Sequence, residues 1–245
     1  TPPVLSLTPA DITVECDAVP AVPALTANDN CDGAVAITFS QTSTAGSCAN
    51  NYTLTREWSA TDACGNNTTH TQTITVEDTQ SPVVTGSFNL VSVEGCGAGD
   101  APAAETTVSG LEGLPGGISI TDNCSADADI TVSSSDASAG SCPVTVTRTY
   151  TLTDECGNSS TIDHIIIIED TTVPTLTAPA DITVECISDV PAVYGSFAEW
   201  TTAGGSGSDN CSLDNSTFAF AGVTDDGNTC PKTLTRTYYI EDDCG

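Results

Sequence analysis

Two residue types dominate the chemistry open to this chain, cysteine and the carboxylates. The 12 cysteines fall in three sets of four: Cys16, Cys31, Cys48 and Cys64; Cys96, Cys124, Cys142 and Cys156; Cys186, Cys211, Cys230 and Cys244. An even number at recurring spacing reads as a disulfide framework, which persists only in an oxidising compartment. Zinc is the rival use of paired cysteines, but no Cys-x-x-Cys occurs and His70 and His164 are the only histidines. The expected location is therefore outside the cytoplasm: secreted, at a cell surface or in an extracellular fibre.

Acidic residues outnumber basic ones 33 to 4, for a formal charge of −29. Such a balance repels nucleic acid and anionic membrane surfaces, and makes cations the natural partners. The acids recur at fixed places. Asp-Asn-Cys stands at Asp29, Asp122 and Asp209, and Asp-x-Cys-Gly at Asp62, Asp154 and Asp242. Glu77-Asp78 and Glu169-Asp170 lie between these groups. Hard oxygen ligands in loops suit Ca²⁺, and Ca²⁺ is the expected ion. The candidate ligands are Glu77, Asp78, Asp122, Asn123, Asp154, Asn158, Glu169, Asp170, Asp209, Asn210 and Asp242, with Asp29, Asn30, Asp32, Asp62 and Asn66 forming a similar group. The metal-free reading of the same residues is turn chemistry, because Asp, Asn and Gly close loops through side-chain to backbone hydrogen bonds. Acids at repeated turn positions also argue against a unique carboxylate pair of the glycosidase kind. His70 and His164 sit amid alternating Thr and Ile, as cross-strand surface positions rather than members of a Ser-His-Asp site. The chain is read as a scaffold, not an enzyme.

The elements that must position these groups are repeats. Pro-Ala-Asp-Ile-Thr-Val-Glu-Cys occurs at Pro9–Cys16 and again, unchanged, at Pro179–Cys186. Such self-similarity divides the chain into repeats at 1–78, 79–170 and 171–245. Within them, 36–40, 52–58 and 71–76 alternate and favour Thr, Val, Ile and aromatics, while no stretch shows a helical period. Short strands between Gly, Pro, Asn and Asp predict an all-β protein of tandem Ig-like antiparallel β-sandwich repeats, each with two disulfides. The chain opens at Thr1-Pro2-Pro3 like a repeat junction and stops at Cys244-Gly245, where the other repeats have another strand to run. The third repeat is thus expected to lack its final strand or to receive it from elsewhere. No apolar run approaches the roughly 18 residues of a membrane span, so direct membrane insertion is not expected, and any export signal or anchor is placed outside this segment.

Ig-like order sorts the cysteines by end. Cys31 and Cys64 fall in upper loops, Cys16 and Cys48 in lower ones. Four cysteines allow three connectivities per repeat. The sorting favours first with third and second with fourth: Cys16 with Cys48, Cys31 with Cys64, Cys96 with Cys142, Cys124 with Cys156, Cys186 with Cys230 and Cys211 with Cys244. The same sorting carries Glu77-Asp78 to the upper loops of the second repeat and Glu169-Asp170 to those of the third. Arg56, Arg148 and Arg236 hold matching strand positions and predict cross-strand ion pairs, while Trp58, Tyr150 and Tyr238, two residues on, read as core or interface aromatics. Insertions at 98–117 and 194–207 read as tolerated surface loops or partner-reaching loops.

The run from Trp58 through Asp62-Ala63-Cys64-Gly65-Asn66, followed by Ile74-Thr75-Val76-Glu77-Asp78-Thr79 and Pro82, resembles the HYR-like, Ig-related repeats of large secreted surface and adhesion proteins in Bacteroidetes-type bacteria. The resemblance implies an exported tandem β-sandwich array with no catalytic residues. The expected function is an extracellular structural or adhesive module forming a stiff stalk or fibre, rigidified by calcium at the repeat junctions. The alternative is a self-assembling filament subunit joined by a donated strand. A carbohydrate-binding module has less support, since aromatics make up 5% of the chain. Expected partners are neighbouring repeats of the same chain or fibre, and surface glycans or other cells.

Overall fold

The computed structural model describes residues 1–245. It is all-β apart from short helices, and its strands follow the alternation in the sequence. Tyr52–Thr61 and Val144–Thr153 place every second side chain inside, with Leu54, Trp58 and Ala60 buried in the first and Val144, Val146, Tyr150 and Leu152 in the second.

The first repeat forms a sandwich of two sheets. Val4–Ser6, Thr26–Asp29 and Gly33–Val35 make the smaller one, in that order. The larger has the order Ile12–Glu15, Asn67–Glu77, Tyr52–Thr61, Ile37–Ala45. All its pairings are antiparallel except one: Ile12–Glu15 runs parallel to Ile74–Glu77. The second repeat repeats this plan. Val83–Thr85 pairs with Ser119–Thr121, and the larger sheet has the order Thr131–Ala139, Val144–Thr153, Ser159–Glu169, Val91–Glu94, the last strand again parallel to its neighbour. In the third, Thr175–Thr177 pairs with Ser206–Ser208, and Leu213–Asp225 with Leu234–Asp242. No strand forms within Pro179–Cys186, although its sequence is identical to Pro9–Cys16.

By compactness the chain divides into two units, Thr1–Asn89 with Ala104–Ser135 and Thr149–Asp163, and Leu90–Ala103 with Asp136–Arg148 and His164–Gly245. The stretch 79–170 is shared between them. The first unit has two apolar clusters: Leu54, Ile74 and Val76 with Ile12 and Val14, and Leu111, Ile120, Ile130, Tyr150 and Leu152 with their neighbours. The second unit has Val144, Val146, Ile166 and Ile168 in one cluster and Trp200, Phe218 and Ile240 in another.

The insertions are not surface loops. Each carries a short helix, α1 (Val108–Gly113) and α2 (Phe197–Thr202), started by the Thr107 or Ser196 hydroxyl accepting a backbone N–H of the first turn. Val108 and Leu111 from α1 are 1% and 0% exposed, and Trp200 from α2 is buried, so the inserted segments close the cores. His164 also departs from expectation: it is buried, whereas His70 is half-buried with Nε2 2.8 Å from the Pro9 carbonyl.

Candidate cation sites at the cysteine-bridged loops

The four disulfides all join one sequence repeat to the next: Cys16–Cys124, Cys48–Cys156, Cys96–Cys211 and Cys142–Cys244. Cys31, Cys64, Cys186 and Cys230 are free thiols. The pairing expected within repeats is therefore replaced by first-to-second and third-to-fourth pairing between repeats. The reason lies in the sorting by ends. The lower loops of one repeat meet the upper loops of the next, and each cysteine bonds across that meeting. Cα separations of 5.2 to 5.8 Å fit the span of the bond.

Beside the first two bridges, oxygen atoms of Asp78, Asp122 and Asp154 all lie within 4.8 Å of one another. Asp122 and Asp154 are held by turn chemistry. Asp122 Oδ1 accepts the Cys124 and Ser125 N–H groups at 2.8 Å each, and Asp154 Oδ1 accepts those of Cys156 and Asn158 at 2.8 and 2.9 Å. The Asn158 amide donates to Asp154 Oδ2 and to the Asp78 carbonyl, and the Asp78 N–H donates to Asn51 Oδ1 at 2.6 Å. These bonds clamp the Asp78 backbone and leave its carboxylate aimed at the other two acids. Asp78 is 4% exposed, and neither of its carboxylate oxygens has a hydrogen-bond partner. Asp122 Oδ2 and Asn123 Oδ1 are likewise buried and unpartnered. Burial pushes the Asp78 carboxyl above the usual carboxylate range, and the Asp154 and Asp122 charges push it further; the Gln80 backbone N–H, nearby but outside hydrogen-bonding geometry, opposes them by less.

A buried carboxylate with no donor is costly unless a cation or proton neutralises it. Oxygens around Ca²⁺ at about 2.4 Å stand at most about 4.8 Å apart across the ion, so three such carboxylates fit that coordination sphere. Glu15 adjoins the group, with an oxygen within 4.8 Å of Asp78. The Thr79 hydroxyl and N–H hold Glu15 below the usual carboxylate range.

The second pair of bridges carries a related arrangement. Asp170 has an oxygen within 4.8 Å of Asp209 and another grouping with Asp242 at the same limit. Asp209 Oδ1 accepts the Cys211 N–H, and Asp242 Oδ1 accepts those of Cys244 and Gly245. Asp170 Oδ2 and Asp209 Oδ2 are buried without partners, and burial raises the Asp170 carboxyl. Glu94 accepts the Thr171 hydroxyl and N–H and the Thr172 hydroxyl, which lower it to about 2. A third group, Asp29, Asp32 and Asp62, also meets within 4.8 Å.

Of the candidate ligands, Asp78, Asp122, Asp154, Asp170, Asp209 and Asp242 come together in these groups. Glu77 and Glu169 do not; they stand in strand register with Glu15 and Glu94. Asn158 serves as a clamp, and the Asn210 amide donates to Glu94. Glu15 and Glu94 were not among the candidates. Their signal was an acid directly before, or two residues before, the first cysteine of a repeat.

No curated protein sequence matches the chain. Among solved structures, the protocadherin GammaB4 extracellular domain is similar at 12% identity and a TM-score of 0.29, covering 73% of this chain and 35% of its own. Protocadherin Gamma B7 extracellular cadherin domains 1-4 are similar at 11% identity and a TM-score of 0.30, covering 98% of this chain and 68% of their own. Mouse cadherin-23 EC22-24 gives 13% and 0.29, with 73% and 70% covered. Likeness at this level bears on neither ligand nor partner. A family model does: that of the HYR-like domain with 4 cysteines matches residues 5–76 and 100–168. Those two stretches include the bridge Cys16–Cys124, the bridge Cys48–Cys156 and, of the acids beside them, Glu15, Asp122 and Asp154, and together they make up more than half of the chain, which belongs to the HYR-like, four-cysteine family.

Proposed function

We propose that the chain is an extracellular structural and adhesive module of four-cysteine repeats, bounded at 1–78, 79–170 and 171–245, whose junctions are stiffened by disulfides and bound calcium. The observation that carries this reading is Asp78, a buried carboxylate with no hydrogen-bond donor, facing Asp122 and Asp154 beside two disulfides. Persistent disulfides favour an oxidising location, and no helix is long and apolar enough to cross a membrane. The acids spend their oxygens on backbone N–H groups at repeated turns, as a scaffold requires. Trp58 and Tyr150, at 2% and 1% exposure, serve the core and not a sugar-binding platform.

The test is thermal unfolding of the full chain in Ca²⁺ and in EDTA, for the natural sequence and for Asp78→Asn. A site with a dissociation constant of about 10⁻⁴ to 10⁻³ M adds about 0.6 to 1.8 kcal/mol at about 2 mM Ca²⁺. That is a rise of roughly 1 to 7 °C for a chain of this size. In EDTA, Asp78→Asn should melt higher than the natural chain, because it removes an uncompensated buried charge, and calcium should then add less. Identical melting of the natural chain in both buffers would remove calcium from the account.

A second reading, a filament subunit completed by a donated strand, draws on Pro179–Cys186. Its twin forms a strand against Ile74–Glu77, whereas here Ile182 is 63% exposed and no strand is paired.

A further inference from the structure

The free cysteines are not a random remainder. At both junctions the first cysteine of one repeat bonds the second of the next, and the third bonds the fourth. Under that rule the unused residues are the second and fourth cysteines of the first repeat, Cys31 and Cys64, and the first and third of the last, Cys186 and Cys230. One end of the chain thus holds the acceptor pair and the other the donor pair of the same double bridge, and all four thiols are exposed.

The acceptor loops already have the bonded conformation. Asp29 Oδ1 accepts the N–H groups of Cys31 and Asp32 at 2.8 and 3.2 Å, as Asp122 Oδ1 accepts those of Cys124 and Ser125 at 2.8 Å. Asp62 Oδ1 accepts those of Cys64 and Asn66 at 2.9 and 2.8 Å, as Asp154 Oδ1 accepts those of Cys156 and Asn158 at 2.8 and 2.9 Å. The Ala63 N–H donates to Asp32 Oδ2 at 2.9 Å and ties the two loops together. On the donor side, Cys186 stands directly before the short turn Ile187–Asp189, as Cys96 precedes Ala98–Asp100. Cys230 lies between Leu213–Asp225 and Leu234–Asp242, as Cys48 lies between Ile37–Ala45 and Tyr52–Thr61.

We propose that these ends are mutually complementary and that the chain joins head to tail with another four-cysteine repeat of its own kind, a second copy of this chain supplying one, through disulfides Cys186–Cys31 and Cys230–Cys64. Each bond forms from two thiols with the loss of two protons and two electrons. A small-molecule disulfide such as oxidised glutathione accepts both and leaves as two thiols, by exchange through a mixed disulfide. The product is a covalently joined row of repeats in which the new junction carries the same two bridges as those already within the chain. This inference rests on the cysteine pattern and is independent of bound calcium.

The experiment is done in EDTA, so that its failure and the failure of the calcium reading are distinct. Purified chain is incubated in a glutathione redox buffer and run on non-reducing electrophoresis. The natural chain should give a ladder of multiples that collapses to monomer on reduction. Cys31→Ser/Cys64→Ser and Cys186→Ser/Cys230→Ser should each remain monomeric alone. Mixed, they should stop at a dimer whose peptide map contains Cys186 bonded to Cys31 and Cys230 bonded to Cys64. The proposal is overturned by monomers bridged internally as Cys31–Cys64 and Cys186–Cys230, by monomers capped with glutathione, or by dimers of either double variant with itself.

Discussion

Three of the four basic residues serve the same local purpose. Arg56 Nη2 donates to the Pro20 carbonyl at 2.7 Å, Arg148 Nη1 to that of Pro102 at 2.7 Å, and Arg236 Nη1 to that of Ala192 at 3.0 Å. A guanidinium presents several donors in a fixed fork, and here it ties the loop after the first cysteine of each repeat to a core strand. Only Arg148 adds the carboxylate foreseen for all three, with Nε and Nη2 each 2.8 Å from an Asp136 oxygen; Arg56 Nε meets Gln41 instead. The Arg148 side chain is 7% exposed and that of Asp136 39%, so solvent screens one partner. Asp136→Asn should cost about 1 kcal/mol near neutral pH. The Arg148 guanidinium holds the Asp136 carboxyl below its ordinary value. The ion pair therefore contributes fully above the unfolded carboxyl value and is lost as pH falls through the lower folded one. Melting curves of the two proteins should converge as pH drops below about 4; a constant gap would mean that the asparagine loses packing, not charge. The matching positions of the arginines were legible in the sequence. Their carbonyl partners were not, because a backbone oxygen carries no residue-type signal.

At the scale of elements, one octapeptide shows what sequence can and cannot fix. Pro-Ala-Asp-Ile-Thr-Val-Glu-Cys becomes a strand at Ile12–Glu15, where the backbone of Ile74–Glu77 accepts it, and does not at 182–185, where nothing pairs with it. Its alternating pattern is permission to be a strand, and the hydrogen-bonding neighbour decides. The long strands were legible for the opposite reason. Tyr52–Thr61 and Asn67–Glu77 are 10 and 11 residues long, adjacent in sequence and self-sufficient as a pair. Helices α1 and α2 leave no trace in the sequence pattern because 6 residues are fewer than two turns and show no period. Their worth is in what they bury. Leu111 is fully enclosed among Ile120, Ile130, Tyr150 and Leu152. Leu111→Ala should destabilise the protein by about 3 kcal/mol, by lost burial plus the cavity left behind, read as a lowered denaturant midpoint with unchanged slope. A loss below about 0.5 kcal/mol would mean that the helix is a surface insertion after all.

Across the whole molecule, the cysteine pairing sets how the chain carries load. Three similar repeats make bridges within a repeat and bridges between repeats both compatible with the cysteine order, which is why the sequence could sort cysteines to loop ends but not choose partners. Mechanics distinguishes the two schemes. With the observed bridges, the shortest covalent path from Thr1 runs to Cys16, crosses to Cys124, follows the chain to Cys142, and crosses to Cys244 beside Gly245. Fully stretched, that path is on the order of 130 Å, whereas the reduced chain reaches on the order of 830 Å. Bridges confined within repeats would leave roughly 420 Å. Pulling single molecules by their ends should therefore give almost no released length under oxidising conditions, and several hundred ångströms after a reductant is added. An oxidised contour near 420 Å would instead establish pairing within repeats. If the short path is found, an unfolded repeat cannot lengthen the array, and its stiffness under tension resides in covalent bonds rather than in the stability of any one sandwich.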